Sequence, residues 1–210
     1  MSGRDVVSKL DRLYPEIKTP LVHEDPFQLL IATILSAQCT DSQVNRVTPA
    51  LFNRFPTPLL MSKARIQTLA SLVKSTGFYR VKSRRIKLVS QKIVNEFGGK
   101  VPRNMEELLT LPGVGRKTAN IVLSAGFDVI EGIAVDTHVR RLSNRIGLSS
   151  KKDPEKIEAD LMRTTPKELW PRLTLLLILH GRKVCHARKP ECLICPLTST
   201  CLYYSQHPVN

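Results

Sequence analysis

Apolar residues recur three and four positions apart along most of the chain, the period of a helix that buries one face. Val6, Val7, Leu10 and Leu13 predict a short helix over 5–14, and further helices follow over 27–37, 41–55 and 63–75. Ile86, Val89, Ile93, Val94 and Phe97 form one stripe over 79–97, which Gly98-Gly99 stops. Asn104, three residues before Glu107, predicts a capping box for a short helix ending near Leu111. Helices over 118–125, 137–146, 154–164 and 167–183 complete the pattern. Asp136 and Asp153 stand as N-caps, and Gly147 as a C-terminal stop. Strand-type alternation is nearly absent, with 132–135 at most a short extended link, so the pattern predicts an all-α protein of about ten helices.

Charge narrows the function classes. The 32 Lys and Arg residues against 18 Asp and Glu give a net charge of +14, an excess that points to a polyanionic partner, most commonly nucleic acid. A chain of 210 residues can form one large or two small domains without a metal or disulfide to stabilise its core. No secretory pattern opens the sequence, and the densest apolar run, 173–179, is far short of a membrane span. A soluble, intracellular protein is expected.

Leu111-Pro112-Gly113-Val114-Gly115-Arg116-Lys117 carries the first candidate chemistry. Pro112 fixes one dihedral, while Gly113 and Gly115 permit a tight turn and leave backbone amides uncovered. Exposed amides at a helix start attract anions, so a DNA phosphate can dock here without its sequence being read. Cations such as Arg116 and Lys117 are poor choices beside a positive helix end. Lys117 therefore has two readings, a solvated phosphate contact or a nucleophile whose ammonium is disfavoured by that helix end, by Arg116 and by partial burial. A depression of about three units would make roughly half such amines nucleophilic near neutral pH. Asp136, in Ala134-Val135-Asp136-Thr137-His138, is an N-cap by context; close to such a lysine it could also accept a proton or stabilise a developing oxocarbenium ion.

Cys185, Cys192, Cys195 and Cys201 follow a C-x6-C-x2-C-x5-C spacing. In a reducing compartment these thiols suit a metal better than disulfides. Zinc is one possibility, but a single C-x2-C pair and three ligands crowded together favour a [4Fe-4S] cluster. His186, Arg188 and Lys189 between the first two thiols either offset cluster charge or touch phosphates. Cys39 lies far away and reads as a small core residue.

Together these segments resemble endonuclease III, in the helix-hairpin-helix DNA glycosylase superfamily, and the match runs nearly end to end. It rests on Leu35-Ser36-Ala37-Gln38-Cys39-Thr40-Asp41, Gly77-Phe78-Tyr79, the hairpin through Asn120, Val135-Asp136-Thr137-His138, Leu179-His180-Gly181-Arg182 and the cysteine spacing. The resemblance implies two helical lobes with a DNA-binding cleft between them. One is a six-helix barrel over 21–132 with the hairpin; the other joins 1–20 to 133–210 and carries the [4Fe-4S] loop. It implies a bifunctional DNA glycosylase and abasic-site lyase that removes oxidised pyrimidines such as thymine glycol. Lys117 would attack C1′ and form a Schiff base that undergoes β-elimination, with Asp136 the essential carboxylate. Gln38 would fill the space left by a flipped base, and Phe78 would wedge into the stack, where a smaller aliphatic is common in the family. Gly113, Gly115 and Arg116 would hold phosphates. Relatives acting on mismatched T or U usually carry tyrosine at the Lys117 position, and adenine-removing relatives serine, so lysine favours the bifunctional enzyme. A mismatch or deaminated-base glycosylase and a non-catalytic iron-sulfur DNA-binding module are the competing readings. The expected partner is double-stranded DNA with damaged bases or abasic sites, bound by a monomer in the cytoplasm at the nucleoid.

Overall fold

The computed structural model describes residues 1–207, and among them every regular element is helical. The helices are α1 (Gly3–Asp11), α2 (Pro26–Leu35), α3 (Asp41–Arg54), α4 (Pro58–Lys63), α5 (Ile66–Leu72) and α6 (Tyr79–Glu96). There follow α7 (Met105–Leu109), α8 (Arg116–Phe127), α9 (Thr137–Ile146), α10 (Pro154–Thr164), α11 (Trp170–Lys183) and α12 (Leu202–Gln206). The chain divides into two compact units, Thr19–Val129 on one side and Met1–Lys18 with the stretch from Ile130 onward on the other.

The unit Thr19–Val129 is built on α2, which is apolar on all sides. Leu29, Leu30, Ile31, Ala32 and Leu35 have no exposed surface, as befits a central helix wrapped by its neighbours. Asp25 caps it, accepting the Gln28 amide at 2.8 Å, and Pro26 opens its first turn. Ile86, Val89 and Ile93 of α6 and Ala119, Val122 and Leu123 of α8 join the same core. The predicted single helix over 63–75 is instead α4, α5 and a 3₁₀ turn at Lys74–Thr76. Thr57 caps α4 and Pro58 starts it, while Ala64 is extended and its carbonyl accepts Lys87 Nζ at 2.8 Å.

In the other unit, α1, α9, α10 and α11 bury Val6, Leu10, Val139, Leu142, Ile157, Leu161, Leu173 and Leu177 together. Ser2 and Asp5 close a reciprocal capping box on α1. The predicted helix over 167–183 begins with a 3₁₀ turn, Lys167–Leu169, and α11 proper starts at Trp170 with Pro171 in its first turn. Beyond α11 lie 3₁₀ turns at Cys192–Ile194 and Thr198–Thr200. The iron-sulfur loop expected here requires correction. Among the described residues, no group of three or more His, Cys, Asp or Glu side chains could hold a metal ion.

Candidate active site

The hairpin is assembled from α7, a turn and α8. Asn104 caps α7 by accepting the Glu107 amide at 2.8 Å, one half of the expected box. Leu111 and Val114 are buried and pin the turn to the core, with the Val114 amide donating to the Leu111 carbonyl at 3.1 Å. Gly113 takes φ +78°, a conformation that a side chain adopts only with strain. A Cβ at Gly113 would also lie 3.0 Å from Arg85 Cδ. Gly115 is the N-cap of α8 and makes no side-chain cap hydrogen bond. Its missing Cβ would point into open space, so a ligand can approach the backbone there. Arg116 is half-buried. Lys117 is exposed, so the partial burial expected from the sequence is not found. Arg85, an exposed α6 side chain lying against Gly113, adds a cation that motif reading missed. Its neighbourhood with the turn follows from the packing of distant elements, and no local sequence signal marks it.

Two further candidates share this unit. Four non-glycine residues among those described have positive φ, and two of them are Gln38 (52°) and Phe78 (47°). Each such conformation costs about 1–2 kcal/mol, and strain of this kind concentrates where a side chain is presented for use. Gln38 is exposed at the end of the turn after α2, and Phe78 is 65% exposed immediately before α6. A core contact is thereby excluded for Phe78.

Asp136 lies in the unit that contains α9. Its Oδ1 accepts the His138 and Val139 amides, both at 2.8 Å, so it is the N-cap read from the sequence. The preceding link is held by the buried Glu158, whose Oε1 accepts the Ile133 amide at 3.2 Å. Gly181 lets α11 approach α9 closely: a Cβ there would fall 2.9 Å from His138 Nδ1 and 3.0 Å from Arg141 Nη2. Arg141 fills this junction, donating to the Gly181 carbonyl at 2.8 Å and to the Cys185 carbonyl at 2.9 Å. Burial pushes the His138 imidazole below its ordinary range, aided by Arg141 and Arg182 and opposed by Asp136.

The four C-terminal cysteines are free thiols lining one pocket, and three of them have polar partners there. Cys185 Sγ accepts Arg145 Nη1 at 3.4 Å, Cys201 Sγ donates to the Arg145 carbonyl at 3.4 Å, and Cys195 Sγ lies 3.2 Å from His180 Nε2. Burial, the main cause, pushes the Cys192 thiol up and takes Cys195 to about 11. The [4Fe-4S] assignment of Cys185, Cys192, Cys195 and Cys201 is corrected, as no group of three or more such side chains among the described residues could hold a metal ion. His180 is buried between Cys195 and Tyr14, whose hydroxyl is 3.2 Å from Nδ1, and burial lowers its pKa to about 4.

Comparison with known proteins bears on this geometry. Residues 31–167 match the model of the HhH-GPD superfamily of base excision DNA repair proteins. The chain is 50% identical over 197 residues to endonuclease III of Synechocystis sp., covering 94% of this chain and 90% of that protein. It superposes with a TM-score of 0.91 and 40% identity on an endonuclease III trapped as a covalent intermediate with DNA, covering 97% of this chain and 95% of that one. A non-covalent endonuclease III–DNA complex gives the same TM-score at 38% identity, with 98% of each chain covered.

Proposed function

Since the chain belongs to the endonuclease III family, bifunctional DNA glycosylases and abasic-site lyases, we propose how its residues perform that reaction on double-stranded DNA. The hairpin takes a backbone phosphate on the amides after Gly115, with Gly113 shaping the turn and Arg116 and Arg85 supplying charge. Phe78 enters the base stack and Gln38 occupies the space of the extruded pyrimidine, an oxidised one such as thymine glycol. Lys117 Nζ, exposed on the first turn of α8, attacks C1′ of the deoxyribose. The C1′–N bond breaks, and the base leaves with the bonding pair. The ring then opens to a Schiff base between Nζ and C1′. Loss of a proton from C2′ expels the 3′ phosphate by β-elimination, and water hydrolyses the Schiff base to free the lysine. Asp136 supplies the carboxylate that stabilises positive charge on the sugar as the base departs. Its Oδ1 is committed to α9, which leaves Oδ2 for that task.

The observation that carries this reading is an exposed lysine directly after a glycine hairpin in a chain that superposes on a covalent endonuclease III–DNA intermediate. No helix among the described residues is long and apolar enough to cross a membrane. A chromosomal substrate assigns the enzyme to the nucleoid, in the cytoplasm, acting as a monomer. Borohydride reduction with abasic-site duplex tests the reading. Wild-type protein yields a covalent adduct and Lys117→Ala yields none; an enzyme that binds this DNA yet traps nothing would refute it.

A further inference from the structure

Lys82 is a lysine that the reaction above does not use, and it is only 3% exposed. Burying an ammonium is costly unless it meets polar partners. Its partner is the Thr76 carbonyl, which Nζ reaches at 2.7 Å. The backbone amide of the same residue donates to the Phe78 carbonyl at 3.0 Å. Lys82 therefore grips the chain on both sides of Gly77-Phe78, where two successive residues have positive φ, 70° and 47°. Such a pair persists only if its surroundings hold it. The Thr76 hydroxyl, donating to the Val73 carbonyl at 2.8 Å, and Gln43 Nε2, donating to Ser75 Oγ at 2.7 Å, brace the approach to this turn. Of these groups, only Lys82 contacts both flanks of Phe78.

Burial lowers the Lys82 pKa, so the charged amine depends on its bond to the Thr76 carbonyl.

We propose that Lys82 is the positioning residue for base extrusion, holding the left-handed Phe78 turn through the Thr76 carbonyl. This rests on the wedge reading of Phe78. Lys82→Met keeps the length and apolar stem of the side chain and removes only the donor.

The test is a double-mutant cycle of Lys82→Met and Phe78→Ala on duplex DNA bearing thymine glycol. Single-turnover base release is read alongside the fluorescence of 2-aminopurine placed opposite an abasic analogue. Loss of a charged hydrogen bond predicts a fall of roughly tenfold or more in base release for Lys82→Met. The 2-aminopurine signal should fall with it, and Lys82→Arg should restore a substantial part of both. The double variant should be no slower than Phe78→Ala alone, because a misplaced wedge and an absent wedge are the same defect. A general loss of stability would instead slow both backgrounds alike, and thermal unfolding of each variant shows whether it is folded. If Phe78→Ala is impaired and the two effects multiply, the Lys82 proposal falls while the wedge reading stands. If Phe78→Ala is silent, the wedge reading falls and Lys82 falls with it.

Discussion

Gly113 and Gly115 lie two residues apart in one turn, yet the structure predicts different consequences for replacing them. At Gly113, alanine must adopt φ +78°, which costs about 1–2 kcal/mol. Its Cβ would also sit 3.0 Å from Arg85 Cδ, the middle of a flexible exposed side chain that can swing aside at small cost. For a protein of this size that corresponds to a melting shift of roughly 2–8 °C. At Gly115 the backbone is extended, with φ −105° and ψ 176°, and nothing lies within 4 Å of the new Cβ. Alanine there loses only the modest N-cap preference of glycine, about 0.5 kcal/mol. The methyl group would, however, occupy the space through which a phosphate reaches the amides of α8. Losing one charge-assisted amide–phosphate bond weakens binding by about 1.5–3 kcal/mol, or roughly ten- to a hundredfold. Thermal unfolding and fluorescence-anisotropy titration with abasic-analogue duplex at fixed salt separate the two effects. Gly113→Ala should lose both stability and affinity, and Gly115→Ala affinity with little stability. A Gly115→Ala protein that binds DNA like wild type would refute the phosphate cradle, whatever Gly113→Ala does.

The remaining predictions concern other residues. Asp136→Asn should melt within about 0.5 kcal/mol of wild type, because asparagine caps helices as well as aspartate does. It should slow base release by at least about a hundredfold in single-turnover assays, and unchanged turnover would refute the role of the carboxylate. Gly181→Ala forces a Cβ to within 2.9 Å of His138 Nδ1 and should cost about 1–3 kcal/mol in denaturant unfolding. A melt identical to wild type would show that the α9–α11 junction is looser than its geometry implies. Arg85→Gln should reduce the slope of log K against log salt by about one while leaving sequence preference unchanged. An unaltered slope would remove Arg85 from the phosphate contacts.

Much of this architecture was legible in the sequence because the signals were local. Asp136 and Asp153 are read as caps from their own neighbours, and both accept amides as expected. The hairpin was legible because Pro112, Gly113 and Gly115 constrain a few consecutive dihedrals. The break between α4 and α5 was missed because Thr57 and Pro58 start a helix earlier than the apolar pattern indicates, while Ala64 is held extended with its carbonyl on Lys87. Lys82 and Arg85 were invisible for a related reason. Lysine and arginine on a helix read as solvent-facing, and only tertiary packing shows one buried beneath a turn and the other laid against Gly113. The cysteine spacing misled in the opposite sense. Closeness in sequence suggested a metal centre, but among the described residues no group of three or more His, Cys, Asp or Glu could hold a metal ion.

The central claim is that the amine of Lys117 bonds covalently to deoxyribose. Mapping the borohydride-stabilised adduct by proteolysis and tandem mass spectrometry tests it directly. The account predicts a reduced sugar on Lys117 Nζ, with the tryptic cleavage after that residue abolished. A sugar found on any other amine, with Lys117 unmodified and cleaved normally, would contradict it.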